Sequence, residues 1–231
     1  KIPLLPETVS TLILDCNYIQ DLENLPKSVK FLSLSRNLLT SFSAPYDLLL
    51  ITILDISNNS ITSLPDFSKL FPHLRQFNAS HNLISNFPLF ARNITNLKMT
   101  NNRITQVPKQ IGNLSCVGLI DLSQNQIEQI TGLPKTIQTL ILFDNKVTSI
   151  EVNTVPDLSQ LYLMNNKLES IPKLRGNIVS HFFLSNNKIT KIDVDRLSKT
   201  IVHLDVSNNE IDELPEKLFS LDPSKTSPQP F

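Results

Sequence analysis

His181 and His203 stand 22 residues apart, with Asp205 two residues further on. Two imidazoles and a carboxylate are a plausible donor set for zinc. No paired-ligand spacing accompanies them, however, and no supporting polar shell is evident around them. They read as surface histidines with a contact role, and His73 and His81 lie far along the chain. Asp15, Asp55, Asp121, Asp144 and Asp205 are scattered, whereas the two carboxylates of a glycosidase must stand about 5–9.5 Å apart in a cleft. Ser35, Ser57, Ser80, Ser123, Ser185 and Ser207 recur without a base to activate any of them. Cys16 and Cys116 have no His/Asp arrangement beside them and read as unpaired thiols of a reducing compartment. Gly112, Gly118, Gly132 and Gly176 form neither a GxGxxG nor a GxxxxGK phosphate loop. The residues therefore point away from an enzyme, and no metal or cofactor is expected.

The composition narrows the classes further. The 231 residues carry 21 Lys+Arg against 21 Asp+Glu, so the formal charge is zero. A dedicated nucleic-acid binder would carry a basic excess. With 40% hydrophobic and 18% charged residues, the chain can bury a core. Its densest apolar stretch, residues 48–56, contains Thr52 and Asp55 and is too short to span a membrane. Sequons at Asn58, Asn78, Asn93 and Asn113 are no more than chance supplies in a chain this rich in Asn, Ser and Thr.

The elements that position these residues come from a repeat. Asn17, Asn37, Asn59, Asn82, Asn102, Asn125, Asn145, Asn166, Asn187 and Asn209 recur every 20 to 23 residues. Eight, five and three residues before each asparagine, and two after it, the side chain is apolar, with Ala79 the one undersized member. All ten units fit L-x-x-L-x-L-x-x-N-x-L. Apolar residues two apart face the same side of a short strand. The asparagine that follows can satisfy backbone groups of the turn. No unit can bury its apolar face alone, so the units must stack. The segments between strands carry Pro26, Pro65, Pro72, Pro88, Pro108, Pro134, Pro172 and Pro215 and should be extended. Single helical turns remain possible around residues 66–70 and 109–114.

The pattern resembles the leucine-rich repeat over nearly the whole chain. Residues 17–32 (NYIQDLENLPKSVKFL) and 125–140 (NQIEQITGLPKTIQTL) are similar to the 20-residue bacterial class, N-x-L-x-x-L-P-x-L-P-x-x-L-x-x-L. Several other units have 22 or 23 residues, as in ordinary intracellular repeats. The resemblance implies a mostly β and coil solenoid of the α/β type: a right-handed horseshoe of about ten repeats with a parallel concave sheet. It also implies a non-enzymatic protein-binding module. The class is known from effectors that Gram-negative pathogens deliver into host cells, which implies a monomer secreted into the host cytoplasm and a host protein as partner. The alternatives are the recognition or autoinhibitory part of a larger enzyme such as a ubiquitin ligase, a bacterial surface adhesin, and a eukaryotic intracellular regulator. Residues 1–221 form the repeat domain in this reading, and residues 222–231, with three prolines, form a linker. Residues 2–9 read as the tail of a preceding repeat, so a longer natural chain is expected.

Function on such a scaffold belongs to the outward strand positions, six, four and two residues before each asparagine. Most are small and polar. Ile141, Phe143, Tyr162, Met164 and Phe183 break that rule on three consecutive strands, with His181 beside them. Adjacent strands lie about 5 Å apart, so these six form one patch. Exposed apolar patches mark interaction sites, and aromatics and methionine are enriched in interface cores. The patch is the expected partner-binding surface, with docking onto another part of a longer chain as its alternative use. A weaker group, Ile13, Phe31 and Ile53, lies near the start.

Overall fold

Alternation of outward and inward side chains over three residues is enough to set one short strand per repeat. The computed structural model describes residues 2–43, 48–152, 155, 157–174 and 178–216. Its ten concave strands are β1 (Thr11–Ile13), β2 (Phe31–Ser33), β3 (Ile53–Asp55), β4 (Gln76–Asn78), β5 (Asn96–Lys98), β6 (Leu119–Asp121), β8 (Thr139–Ile141), β10 (Gln160–Tyr162), β11 (His181–Phe183) and β12 (His203–Asp205). They form one parallel sheet in chain order. The middle residue of each strand points inward, and the register pairs the equivalent positions of neighbouring repeats. The fold is the leucine-rich-repeat solenoid that the spacing predicts. Two further short strands, β7 (Gln129–Ile130) and β9 (Ser149–Ile150), pair in parallel away from the main sheet. The repeat template gave no sign of them.

The core is one continuous cluster running from Ile2 to Leu197. Leu32, Leu34, Leu97, Leu122, Leu140, Leu142, Leu161 and Leu184 are fully buried. Ala79, the undersized core position, lies in the coil that follows Phe67, Phe71 and Phe77. These rings pack edge-to-face at 5.0–5.1 Å with Phe42 and Phe90 beside them. Towards the array ends, Leu14, Leu204, Val206 and Ile211 are only partly buried.

The helical turns fall where the longer units allow them. A single turn, α1 (Phe67–Leu70), starts from Asp66, whose carboxylate accepts the Ser68 N–H. A 3-10 turn spans Lys109–Asn113, and another spans Val194–Arg196. The other loops between strands are largely extended or turn-like, as their prolines require.

Each coil then reverses at one residue. Cys16, Arg36, Asn58, His81, Asn101, Gln124, Asp144, Asn165, Asn186 and Asn208 all have φ between 53° and 58°. They occupy the position just before each ladder asparagine. The asparagine amide locks the turn. Asn145 Nδ2 donates to the carbonyls of Leu122, Leu142 and Phe143, and Asn145 Oδ1 accepts the Ile127 N–H from the coil before. The same set repeats at Asn37, Asn82, Asn102, Asn125, Asn166 and Asn187.

Between two neighbouring loops the backbones touch. A Cβ on Gly112 would overlap the Gly132 carbonyl oxygen, and Gly132 itself has φ +69°. Because the obstacle is backbone, Gly112→Ala should lower unfolding stability by roughly 1–3 kcal/mol, read as a lower urea midpoint at unchanged slope.

The linker expected at residues 222–231 lies outside the described residues. Among the described residues no helix is long and apolar enough to cross a membrane.

Candidate functional site

The outward patch is built by the register. Ile141 of β8 pairs with Tyr162 of β10, and Tyr162 pairs with Phe183 of β11. Thr139, Gln160 and His181 form the row on one side. On the other side the ladder continues past the strands, where Asp144 N–H bonds the Met164 carbonyl and Gln124 N–H bonds the Phe143 carbonyl. Phe143 and Met164 therefore sit on the same face as their strands. All six residues are half-buried, and the structure brings them onto three neighbouring coils.

The rings are ordered within the patch. Tyr162 and Phe183 stack nearly parallel, 4.8 Å between centroids and 11° between planes. Phe183 meets His203 on the far side at 4.8 Å and 38°. His203 and His181 lie 6.3 Å apart and nearly parallel. Each such ring pair adds about 0.5–1.5 kcal/mol beyond its buried area. The ladder thus extends one strand further than the six residues picked from sequence, to His203. The signal was there: His203 shares a column with His181 and sits on the strand next to Phe183.

The parallel imidazoles stack instead of converging on a point between them. Among the described residues no group of three His, Cys, Asp or Glu side chains is placed to hold a metal ion. Tyr162 Oη donates to Gln160 Oε1 at 3.4 Å, and the Ser180 hydroxyl lies 2.9 Å from His181 Nδ1.

The rest of the face is polar and internally bonded. Asp121 Oδ1 accepts the Ser123 N–H and hydroxyl, and Asp205 Oδ1 accepts those of Ser207. Asp15 accepts the Ser33 hydroxyl and the Ser35 N–H. Ser33, Ser35, Ser123 and Ser207 thus close strand ends on carboxylate acceptors. Partial burial pushes the Asp205 carboxyl up. The Ser207 and Ser185 hydroxyls, the Ser207 N–H and the nearby His203 together push it further down, so it ends below its ordinary value of 3.8. A carboxyl lowered by folding stabilises the fold above its unfolded value and loses that contribution as pH falls through the folded one. The stability difference between wild type and Asp205→Asn should therefore be present at neutral pH and shrink below about pH 4, read from paired thermal melts.

One depression of about 320 Å³ lies among Phe87, Leu89, Phe90, Ile111, Leu114 and Arg92, and its lining holds no acid, histidine or cysteine.

Comparison with known proteins agrees with this architecture. A family model for the leucine-rich repeat matches residues 50–70. A probable serine/threonine-protein kinase, pats1 of Dictyostelium discoideum, is 28% identical over 57% of this chain, which spans 5% of that protein. The leucine-rich effector protein YopM of Yersinia pestis superposes with a TM-score of 0.78 at 25% identity, over 90% of this chain and 57% of that one. A leucine-rich-repeat protein of Leptospira interrogans gives a TM-score of 0.73 at 26% identity, over 98% of this chain and 69% of that one. By its repeat, its sheet and these likenesses, the chain is a leucine-rich-repeat protein that resembles bacterial effectors.

Proposed function

We propose that this leucine-rich-repeat interaction module is a bacterial effector, or the repeat part of one, that binds a host protein on the C-terminal half of its concave face. The module is non-enzymatic in this reading and works as a monomer in the host cytoplasm. The observation that carries the proposal is the ring ladder of half-buried Tyr162 and Phe183 and exposed His203, with Ile141, Phe143 and Met164 beside it. Elsewhere the outward positions are mostly small and polar, so this is where a partner gains most from excluding water. The likeness to YopM supports the effector reading. A second reading rests on the pats1 match, in which the matching stretch is a small part of a much longer protein. There the same surface would serve as the recognition segment of a larger enzyme, and the gene sequence flanking this chain would decide between the two.

Affinity capture from host-cell lysate tests the proposal, with wild type beside a Tyr162→Ala/Phe183→Ala variant whose melting temperature has been matched. A protein held by wild type and lost by the variant is the expected result. Equal capture by both moves the site to another surface.

A further inference from the structure

One edge of the patch carries a charge row that the outward strand positions do not include. Lys146, Lys167 and Lys188 each directly follow a ladder asparagine on three consecutive coils. Their backbone N–H groups bond the carbonyls of Ile127, Val147 and Leu168, each in the coil before, at 2.9–3.0 Å. The three lysines are therefore stacked in register, one coil apart. Lys167 and Lys188 are exposed and Lys146 is half-buried. Lys146 Nζ reaches Gln126 Oε1 at 3.3 Å, and none of the three ammonium groups is within ion-pair distance of a carboxylate among the described residues. Glu210 follows in the same column and ends the row.

Each lysine is three residues beyond a position in one strand-edge column: Phe143 and Met164 of the patch, and the buried Ser185. The two Cα atoms of such a pair are at most about 11 Å apart, so a lysine side chain can serve a ligand seated on the apolar row. Acids are present nearby: Glu128 and Glu169 are exposed two residues beyond Gln126 and Lys167, and three aspartates on the patch side keep their charge while hydrogen-bonded within the fold. Asp121 and Asp205 accept their serines, and Asp144 accepts the Asn165 amide. Between those acids, the column directly after the ladder asparagines carries three positive charges in single file, one per coil.

The rings narrow the chemistry. One face of Phe183 is covered by Tyr162 and the other by His203. A nucleobase needs an open ring face to stack on, and Phe183 offers only its rim. Ring rims are the electropositive part of the quadrupole and favour carbonyl and carboxylate oxygens. Resting on the concave-face reading above, we infer that the partner is an acidic polypeptide segment. It runs across strands β8 to β11, places an aliphatic or aromatic side chain on the ring ladder, and sets its carboxylates along Lys146, Lys167 and Lys188.

Selection from a random dodecapeptide display library against the immobilised full chain tests this. Wild type should enrich peptides with net negative charge and at least one aliphatic or aromatic residue. Their recovery should fall at least tenfold on a Lys146→Glu/Lys167→Glu/Lys188→Glu variant. A Lys→Gln triple variant, which adds no new acids, should give intermediate recovery and guards against a folding defect. An enriched pool without acidic excess, identical pools from wild type and the Glu variant, or no enrichment at all overturns the proposal. So does a twelve-nucleotide single-stranded RNA that binds more tightly than the selected peptides. Loss on the Glu variant with full recovery on Tyr162→Ala/Phe183→Ala overturns the apolar anchor and the concave-face reading with it. Loss on the alanine variant alone overturns only the acidic character of the partner.

Discussion

Asn145→Ala should unfold with roughly 2–4 kcal/mol less stability than wild type. The accounting follows from its four hydrogen bonds. Phe143 and Leu142 keep other donors for their carbonyls, from Gln124 N–H and Asn166 Nδ2, and the Leu122 carbonyl keeps Asn125 Nδ2. Ile127 N–H keeps nothing. An orphaned buried N–H costs about 1–3 kcal/mol, and each lost net bond adds about 0.5–1.5 kcal/mol. For a chain of this size the loss corresponds to a fall of roughly 5–15 °C in melting temperature. Asn17→Ala is the internal control. Asn17 is exposed and its amide reaches only Leu14 and Asp15 in its own coil. Calorimetry should show a shift several times smaller for Asn17→Ala than for Asn145→Ala. Equal shifts would mean that the ladder does not hold the coils together.

The second large effect is on binding. Tyr162→Ala and Phe183→Ala should each weaken the partner complex by roughly 1–3 kcal/mol, since truncated aromatic anchors at interface centres cost that much or more. The two rings stack at 4.8 Å, so their losses will not add. Removing Tyr162 leaves Phe183 with an open face and a looser position. A double-mutant cycle by titration calorimetry should give a coupling of about 0.5–1.5 kcal/mol. A Ser80→Ala control lies on the same face but at its polar end, and should bind as wild type does. Loss in the control equal to loss in the ring variants would contradict an anchor at Tyr162 and Phe183.

The repeat was legible because its signal is periodic and covalent. Ten asparagines at near-constant spacing fix the strand positions, and strand alternation then fixes which residues face out. The columns named Ile141, Tyr162 and Phe183 as neighbours before any coordinates, and the register agrees. Other features depend on backbone angles or rotamers, which leave weaker marks. The left-handed residue before each ladder asparagine is asparagine at positions 58, 101, 165, 186 and 208, which tolerate that conformation best, but Cys16, Arg36, His81, Gln124 and Asp144 hold it too. Residue type alone could not reveal a position that the surrounding hydrogen bonds enforce. His203 occupies the same repeat position as His181, yet its contact with Phe183 depends on side-chain torsions. The lysine row was missed for a simpler reason. It follows the asparagine, outside the strand positions where outward residues were sought, and becomes a row only once the coils are stacked.

The most direct test of the concave-face reading is site-specific photocrosslinking to the protein captured from lysate. A benzophenone amino acid would replace Phe143, at the edge of the patch, or Gln110, exposed on the 3-10 turn of a loop between strands. The account predicts a covalent adduct from position 143 and none from position 110. An adduct from position 110 with none from 143 would place the partner off the concave face and contradict it.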